Sequence, residues 1–188
     1  MKSVFRNATA FAVAFLFSAG ASAADPNLCA ACHGVGGNSA NREVPSIAGQ
    51  PRQFLAMSLF QFREGNRKDA QMTPMAANLS NADMNELAAY FAAQKAESPK
   101  HQAKPENVEV GPGLAKRFNC SQCHGPRLLG QQHIPRLAGQ QFEYLRVQLR
   151  GFKAGTRSDI DGNMTSAAKA LAESDIEALA DYLAGLRD

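Results

Sequence analysis

The sequence predicts an all-α chain of two tandem modules, and three observations point there. A block of residues recurs along the chain. At an offset of 90, Pro45, Ala48, Gly49, Gln50, Leu55, Leu59, Phe62, Gly65 and Arg67 return as Pro135, Ala138, Gly139, Gln140, Leu145, Leu149, Phe152, Gly155 and Arg157. At an offset of 92, Met72, Leu79, Asp83, Leu87, Ala88 and Tyr90 return as Met164, Leu171, Asp175, Leu179, Ala180 and Tyr182. Apolar residues within each copy fall at helical spacing, and β-branched residues in alternation are few. The pentapeptide Cys-x-x-Cys-His occurs once per copy, as Cys29-Ala-Ala-Cys32-His33 and Cys120-Ser-Gln-Cys123-His124, and consumes all four cysteines.

Taken in chain order, residues 1–23 read as a removable signal peptide. Lys2 and Arg6 supply the positive start, Ala8 to Ala19 is largely apolar, and Ala21-Ser22-Ala23 fits the small-x-small cleavage pattern. The apolar stretch is shorter than the ~20 residues of a spanning helix, and no later segment qualifies. The mature chain is thus expected in the periplasm, with retention of the segment as an anchor, and hence peripheral membrane association, as the alternative. The first module is expected at 24–97, a polar, proline-containing linker at 98–109, and the second module at 110–188.

In the first module Leu55, Leu59 and Phe62 lie at i, i+4 and i+7 on one helical face, repeated by Leu145, Leu149 and Phe152 in the second, with Gly65 and Gly155 as stops. A last helix follows in each, opened by the capping patterns Ser80-x-x-Asp83 and Ser174-x-x-Glu177. An amphipathic lead-in, Gly111 to Asn119, precedes Cys120, whereas only Ala24 to Leu28 precede Cys29, so the first module looks clipped.

The Cys-x-x-Cys-His spacing puts two sulfurs on one turn of chain with an imidazole directly after, which is the arrangement that attaches haem c through two thioethers and offers nitrogen to its iron. Two covalently bound haem c groups are therefore expected, through Cys29 and Cys32 and through Cys120 and Cys123, with His33 and His124 on the irons. A thioredoxin-like redox pair, a zinc site and a disulfide within each pair are the alternatives. Methionine is the expected opposite ligand. Met72 lies 39 residues after His33 and Met164 lies 40 after His124. Met164 has no rival methionine in its module, while Met72 competes with Met75, Met57 and Met84, and register with Met164 decides for it. His133 and His101 are weaker alternatives.

Without Lys2 and Arg6 the 20 basic residues fall to 18 against 17 acidic, so four haem propionates would make the holoprotein mildly acidic. No Lys/Arg run is dense enough to argue nucleic-acid binding.

Pro45-Ser-Ile-Ala-Gly-Gln50, Pro135-Arg-Leu-Ala-Gly-Gln140 and Met72-Thr-Pro-Met75-Ala-Ala-Asn-Leu79-Ser80 resemble the corresponding segments of class I c-type cytochromes, specifically the dihaem cytochrome c4 family, across essentially the whole mature chain. The resemblance implies two tandem class I cytochrome c-like domains, each wrapped around one covalent haem. It also implies that the carbonyls of Pro45 and Pro135 accept a hydrogen bond from the proximal histidines, with simple loop rigidity as the other role for these prolines. Arg67 and Arg157 become candidates for reaching haem propionates, with a solvated arginine as the alternative. The implied function is outer-sphere electron transfer, with no substrate chemistry of its own, between respiratory donors and a terminal oxidase or other acceptor. The alternative is an electron-accepting subunit of a periplasmic dehydrogenase acting on thiosulfate or an alcohol. The clipped first module raises the further expectation of a homodimer contact there.

Overall fold

A computed structural model describes residues 24–187. The expected signal peptide lies outside the described residues. The first half contains α1 (Pro26–His33), a 3-10 turn (Val35–Gly37), α2 (Arg52–Arg63), α3 (Met72–Ala76) and α4 (Asn81–Ala92). The second contains α5 (Pro105–Arg117), α6 (Cys120–His124), α7 (Phe142–Ala154), α8 (Asn163–Lys169) and α9 (Glu173–Gly185). The β structure among the described residues is one isolated bridge, Gln131 to Ile134. Among these residues no helix is long and apolar enough to cross a membrane.

Each half has its own core. In the first, Leu55 and Phe62 of α2 pack with Met84, Leu87 and Phe91 of α4. In the second, Leu145 and Phe152 of α7 pack with Ile176, Leu179 and Leu183 of α9. The i, i+4, i+7 faces read from the sequence are the faces buried. Each such side chain contributes about 1.5–3 kcal/mol when fully withdrawn from water.

The openings of the last helices differ from expectation at one end. At α4 the capping box is complete: Asp83 N–H donates to Ser80 Oγ at 3.1 Å and Ser80 N–H to Asp83 Oδ2 at 2.8 Å. Ser174 and Glu177 do not form the second box. The cap of α9 is Ala172, whose N–H donates to Asp175 Oδ2 at 2.8 Å. The two helices therefore start in the same register, with alanine where the first copy has serine. Glu177 instead pairs with Arg146 and Arg150 of α7, at 3.3 and 2.5 Å. Since an alanine cap accepts no bond from the helix, Ala172→Ser is expected to stabilise the protein by about 1 kcal/mol, read as a raised midpoint in denaturant unfolding.

The modules dock through a reciprocal pair of glutamines at the same position of the repeat. Gln50 accepts from Arg136 N–H at 2.9 Å and donates to Arg136 O at 3.0 Å. Gln140 accepts from Ser46 N–H and donates to Ser46 O, both at 2.8 Å. Both glutamines are buried, and each side-chain amide satisfies a backbone donor and acceptor of the other module.

Helix α5 begins at Pro105, within the stretch read as linker, and crosses α9. Its start is tied to the buried carboxylate of Asp181, which accepts from Lys104 N–H and Asn107 Nδ2 at 2.8 Å each and meets His101 Nε2 at 2.6 Å. Burial pushes the Asp181 pKa up, but the donors from Asn107, Lys104 and His101 outweigh it and hold the carboxyl below its ordinary value. This contribution to stability is present above about pH 4 and is lost as the pH falls through the lowered folded-state value. The described residues of the first module include no counterpart of α5. Tyr90, in the register of Tyr182, is accordingly 41 % exposed.

Candidate haem sites

Helix α1 carries Cys29, Cys32 and His33 together in its last stretch, over little more than one turn. Asp25 caps it by accepting Asn27 N–H at 2.9 Å, and Pro26 occupies its first turn. The shorter α6 presents Cys120, Cys123 and His124 in the same way. A glycine follows each histidine with φ near +80°, and at Gly34 a Cβ would lie 2.0 Å from the Asn38 carbonyl oxygen. At Gly34 only glycine makes the turn without a clash, while at Gly125, where a Cβ would meet nothing within 4 Å, it is the positive φ that favours glycine. The turn sends the chain back to bring a proline carbonyl over each imidazole.

His33 Nδ1 lies 2.8 Å from Pro45 O, and His124 Nδ1 lies 2.7 Å from Pro135 O. A carbonyl oxygen only accepts, so Nδ1 carries the proton in both rings and Nε2 is left with its lone pair. Burial brings both imidazoles below the ordinary histidine range, with the proline hydrogen bond opposing it more weakly. His124 Nε2 is buried with no hydrogen-bond partner. A neutral, oriented, unpartnered ring nitrogen beside two thiols is a ligand poised for a metal.

All four thiols are unpaired. Burial raises Cys29 and Cys120 above the usual thiol range, opposite to what a reactive redox thiolate requires. Among the described residues no three His, Cys, Asp or Glu side chains gather as a metal cage, so the zinc alternative has no assembled site. A cleft of about 350 Å³ runs between Ala30, Ala31 and Cys32 on one side and Gln71, the neighbour of Met72, on the other. Its walls are small or apolar in the main, with Gly34, Ala40 and Val44 among them, and they suit a flat macrocycle held at its edge by Cys32.

The methionines sort by burial. Met72 opens α3 and packs on the first core, while Met164 lies in α8 and packs on the second. Met75 is 53 % exposed, Met57 sits on the outer side of α2 at 36 %, and Met84 is a core residue. His133 faces Asp161 at 3.6 Å, and His101 is engaged with Asp181. His101 also stacks on Phe142, with ring centroids 5.2 Å apart.

Arg67 and Arg157 are placed together at the junction of the modules. Their guanidiniums lie over Phe62 and Phe152, 4.5 and 4.3 Å from the ring centroids, and both bond Gln148 Oε1. Arg67 also donates to Tyr144 Oη at 3.0 Å. Burial, assisted by the Arg67 charge, brings Arg157 down to about 10.

Two residues beside the methionines escaped the sequence reading. Asp69 and Asp159 each accept the methionine's own backbone N–H at 2.8 Å. They stand at the repeat offset of 90, and that register was the signal available for finding them.

The cytochrome c family pattern matches residues 17–95 and again 108–187. Cytochrome c4 of Pseudomonas aeruginosa is 36 % identical over 178 residues, covering 89 % of this chain and 88 % of that protein. This chain belongs to the cytochrome c4 family. A thiosulfate dehydrogenase electron acceptor from Thiomonas intermedia is 35 % identical, covering 98 % of this chain and 91 % of its own. The crystal structure of reduced recombinant cytochrome c4 from Pseudomonas stutzeri superposes with a TM-score of 0.81 at 33 % identity, over 86 % of this chain and 95 % of that one. As a member of the family the chain is a dihaem c-type cytochrome with covalently bound haem, folded as two tandem helical cytochrome c domains, and it transfers electrons without substrate chemistry of its own.

Proposed function

We propose that Cys29 and Cys32 hold one haem and Cys120 and Cys123 the other, with His33 and Met72, and His124 and Met164, as the axial pairs. The boundaries 24–97 and 110–188 then enclose one haem each. The observation that supports the assignment is the matched His33–Pro45 and His124–Pro135 geometry, which places the proton on Nδ1 of both rings, with His124 Nε2 buried and unpartnered beside its pair of thiols. Haem supplies a one-electron iron couple, and the residues of the chain tune and shelter it. The proline carbonyls fix the imidazole planes and make Nε2 more basic. The methionine thioethers favour reduced iron and raise the potential relative to a second imidazole. Ligation of each iron by one histidine and one methionine would keep rearrangement small when the charge changes. Arg67 and Arg157, side by side at the junction, are well placed to neutralise propionates.

The setting we propose is the periplasm, reached through the 1–23 signal, with redox proteins as partners: a membrane respiratory complex, a terminal oxidase or a periplasmic dehydrogenase. That the Thiomonas relative is a thiosulfate dehydrogenase electron acceptor favours the dehydrogenase as a second reading of the partner. The deciding experiment is a pyridine haemochrome assay on the denatured mature protein and on the double variants Cys29→Ala/Cys32→Ala and Cys120→Ala/Cys123→Ala. Two haems are expected in the parent and one in each variant. A parent with a single equivalent, or a variant that still holds two, overturns the assignment.

A further inference from the structure

We propose that Asp69 and Asp159 are the positioning residues of the two axial methionines, and that the two sites differ in what they tolerate there. The inference rests on Met72 and Met164 being the ligands. The aspartates repeat at an offset of 90 but the methionines at 92, so the second loop holds two extra residues between carboxylate and methionine. The contact is conserved within the repeat although the spacing is not. Asp69 Oδ1 accepts Met72 N–H at 2.8 Å and Gln71 N–H at 2.9 Å, while Asp69 N–H donates to Thr73 Oγ1 at 3.0 Å. Asp159 Oδ2 accepts Met164 N–H at 2.8 Å, and its Oδ1 accepts Thr165 N–H at 3.0 Å and Thr165 Oγ1 at 2.8 Å. The Asp159 carboxylate thus closes a ring over Met164 and Thr165, whereas the Asp69 carboxylate closes one over Gln71 and Met72 and leaves Thr73 to its backbone N–H.

The methionine N–H groups open α3 and α8, where first-turn donors have no partner within the helix. A carboxylate that takes them fixes where the turn begins, and hence where the thioether stands. Backbone freedom here would translate directly into time spent off the iron. The sites differ in how many oxygens work. At Asp69 the loop donors share Oδ1, a role that the single carbonyl of asparagine can fill. At Asp159 both oxygens accept, and the amide nitrogen of an asparagine would face a donor.

The test uses four holoprotein variants, Asp69→Ala, Asp69→Asn, Asp159→Ala and Asp159→Asn, with Met164→Ala alongside. The readouts are the thioether–iron charge-transfer band of the oxidised protein and imidazole affinity, resolved by haem. Asp159→Ala and Asp159→Asn are expected to raise imidazole affinity at the second haem about tenfold, the weight of one or two lost hydrogen bonds, and to leave the first haem unchanged. Asp69→Ala does the same at the first haem, and Asp69→Asn stays near the parent. A purely structural role would lower the melting temperature and leave both readouts in place. If Met164→Ala opens the second iron while both Asp159 variants leave it closed, this proposal fails and the ligand assignment stands. If Met164→Ala itself changes neither readout, the ligand assignment fails first. Should Asp159→Ala not accumulate with haem, Asp159→Asn carries the same comparison, and equal behaviour of Asp69→Asn and Asp159→Asn overturns the difference between the sites.

Discussion

Met164→Ala leaves the second haem attached and opens its iron to imidazole and cyanide, while the first haem keeps its spectrum. Attachment is expected to be independent of Met164, because the proposed attachment residues Cys120 and Cys123 and the His124–Pro135 geometry lie on α6 and the loop after it. On the proposed ligation closure depends on it, since Met164 is the one methionine of the second half of the sequence. An external ligand binds only the fraction of molecules whose thioether is off, so its apparent affinity is reduced by that fraction. If the off state is about 1 % populated, removing the thioether raises affinity about 100-fold. Met72→Ala should do the same to the first haem. Met75 does not rescue it, because its side chain is directed to solvent, 53 % exposed, rather than onto the core. Imidazole titration followed at each haem's absorption checks both, and an unchanged titration in Met164→Ala would remove methionine from the axial position.

Repetition made most of the architecture legible. Two copies of one apolar pattern identify α2 with α7 and α4 with α9 more firmly than either copy alone, because core faces recur at fixed offsets whereas surface residues drift. What repetition cannot show is how the copies meet. Gln50 and Gln140 are visible as a repeated pair, but that each binds the other module's backbone follows from a two-fold-like arrangement, which no linear pattern encodes. Asp181 was invisible for the opposite reason: the first copy has Ala89 in its register, so a buried carboxylate fastening the linker has no echo to reveal it. The opening of α9 was misplaced because Ala172 has no capping side chain. The pattern-matching residues Ser174 and Glu177 drew the assignment two residues downstream of a cap whose surviving half is Asp175. At the haem sites the sequence speaks most directly where chemistry demands contiguous residues, as in the two Cys-x-x-Cys-His segments. It missed Asp69 and Asp159, whose role rests on a carboxylate reaching back to a backbone N–H across a loop of variable length.

The asymmetry between the modules is sharpest where α5 crosses α9, and two neighbouring glycines there are expected to respond in opposite directions. At Gly111 a Cβ would fall 2.2 Å from Tyr182 Cγ and 2.6 Å from its Cβ. The helices touch backbone to ring at this point, so Gly111→Ala must push α5 off α9 or turn Tyr182 out of its place. Overpacking of this kind costs about 1–3 kcal/mol, and the crossing also carries the linker that Asp181 anchors. At Gly113, two residues on, a Cβ meets nothing within 4 Å. Gly113→Ala should therefore stabilise α5 by up to about 1 kcal/mol through helix propensity alone. Denaturant unfolding of the holoprotein, with the two haems monitored separately, distinguishes the cases. Gly111→Ala should lower the midpoint of the second module and leave the first in place, and Gly113→Ala should raise it. If both variants destabilise alike, a feature common to this stretch of α5, such as Pro112, governs the helix and the contact with Tyr182 does not. That result would also remove the reason for Tyr90 being uncovered, since a crossing that contributes nothing in the second module would not be missed in the first.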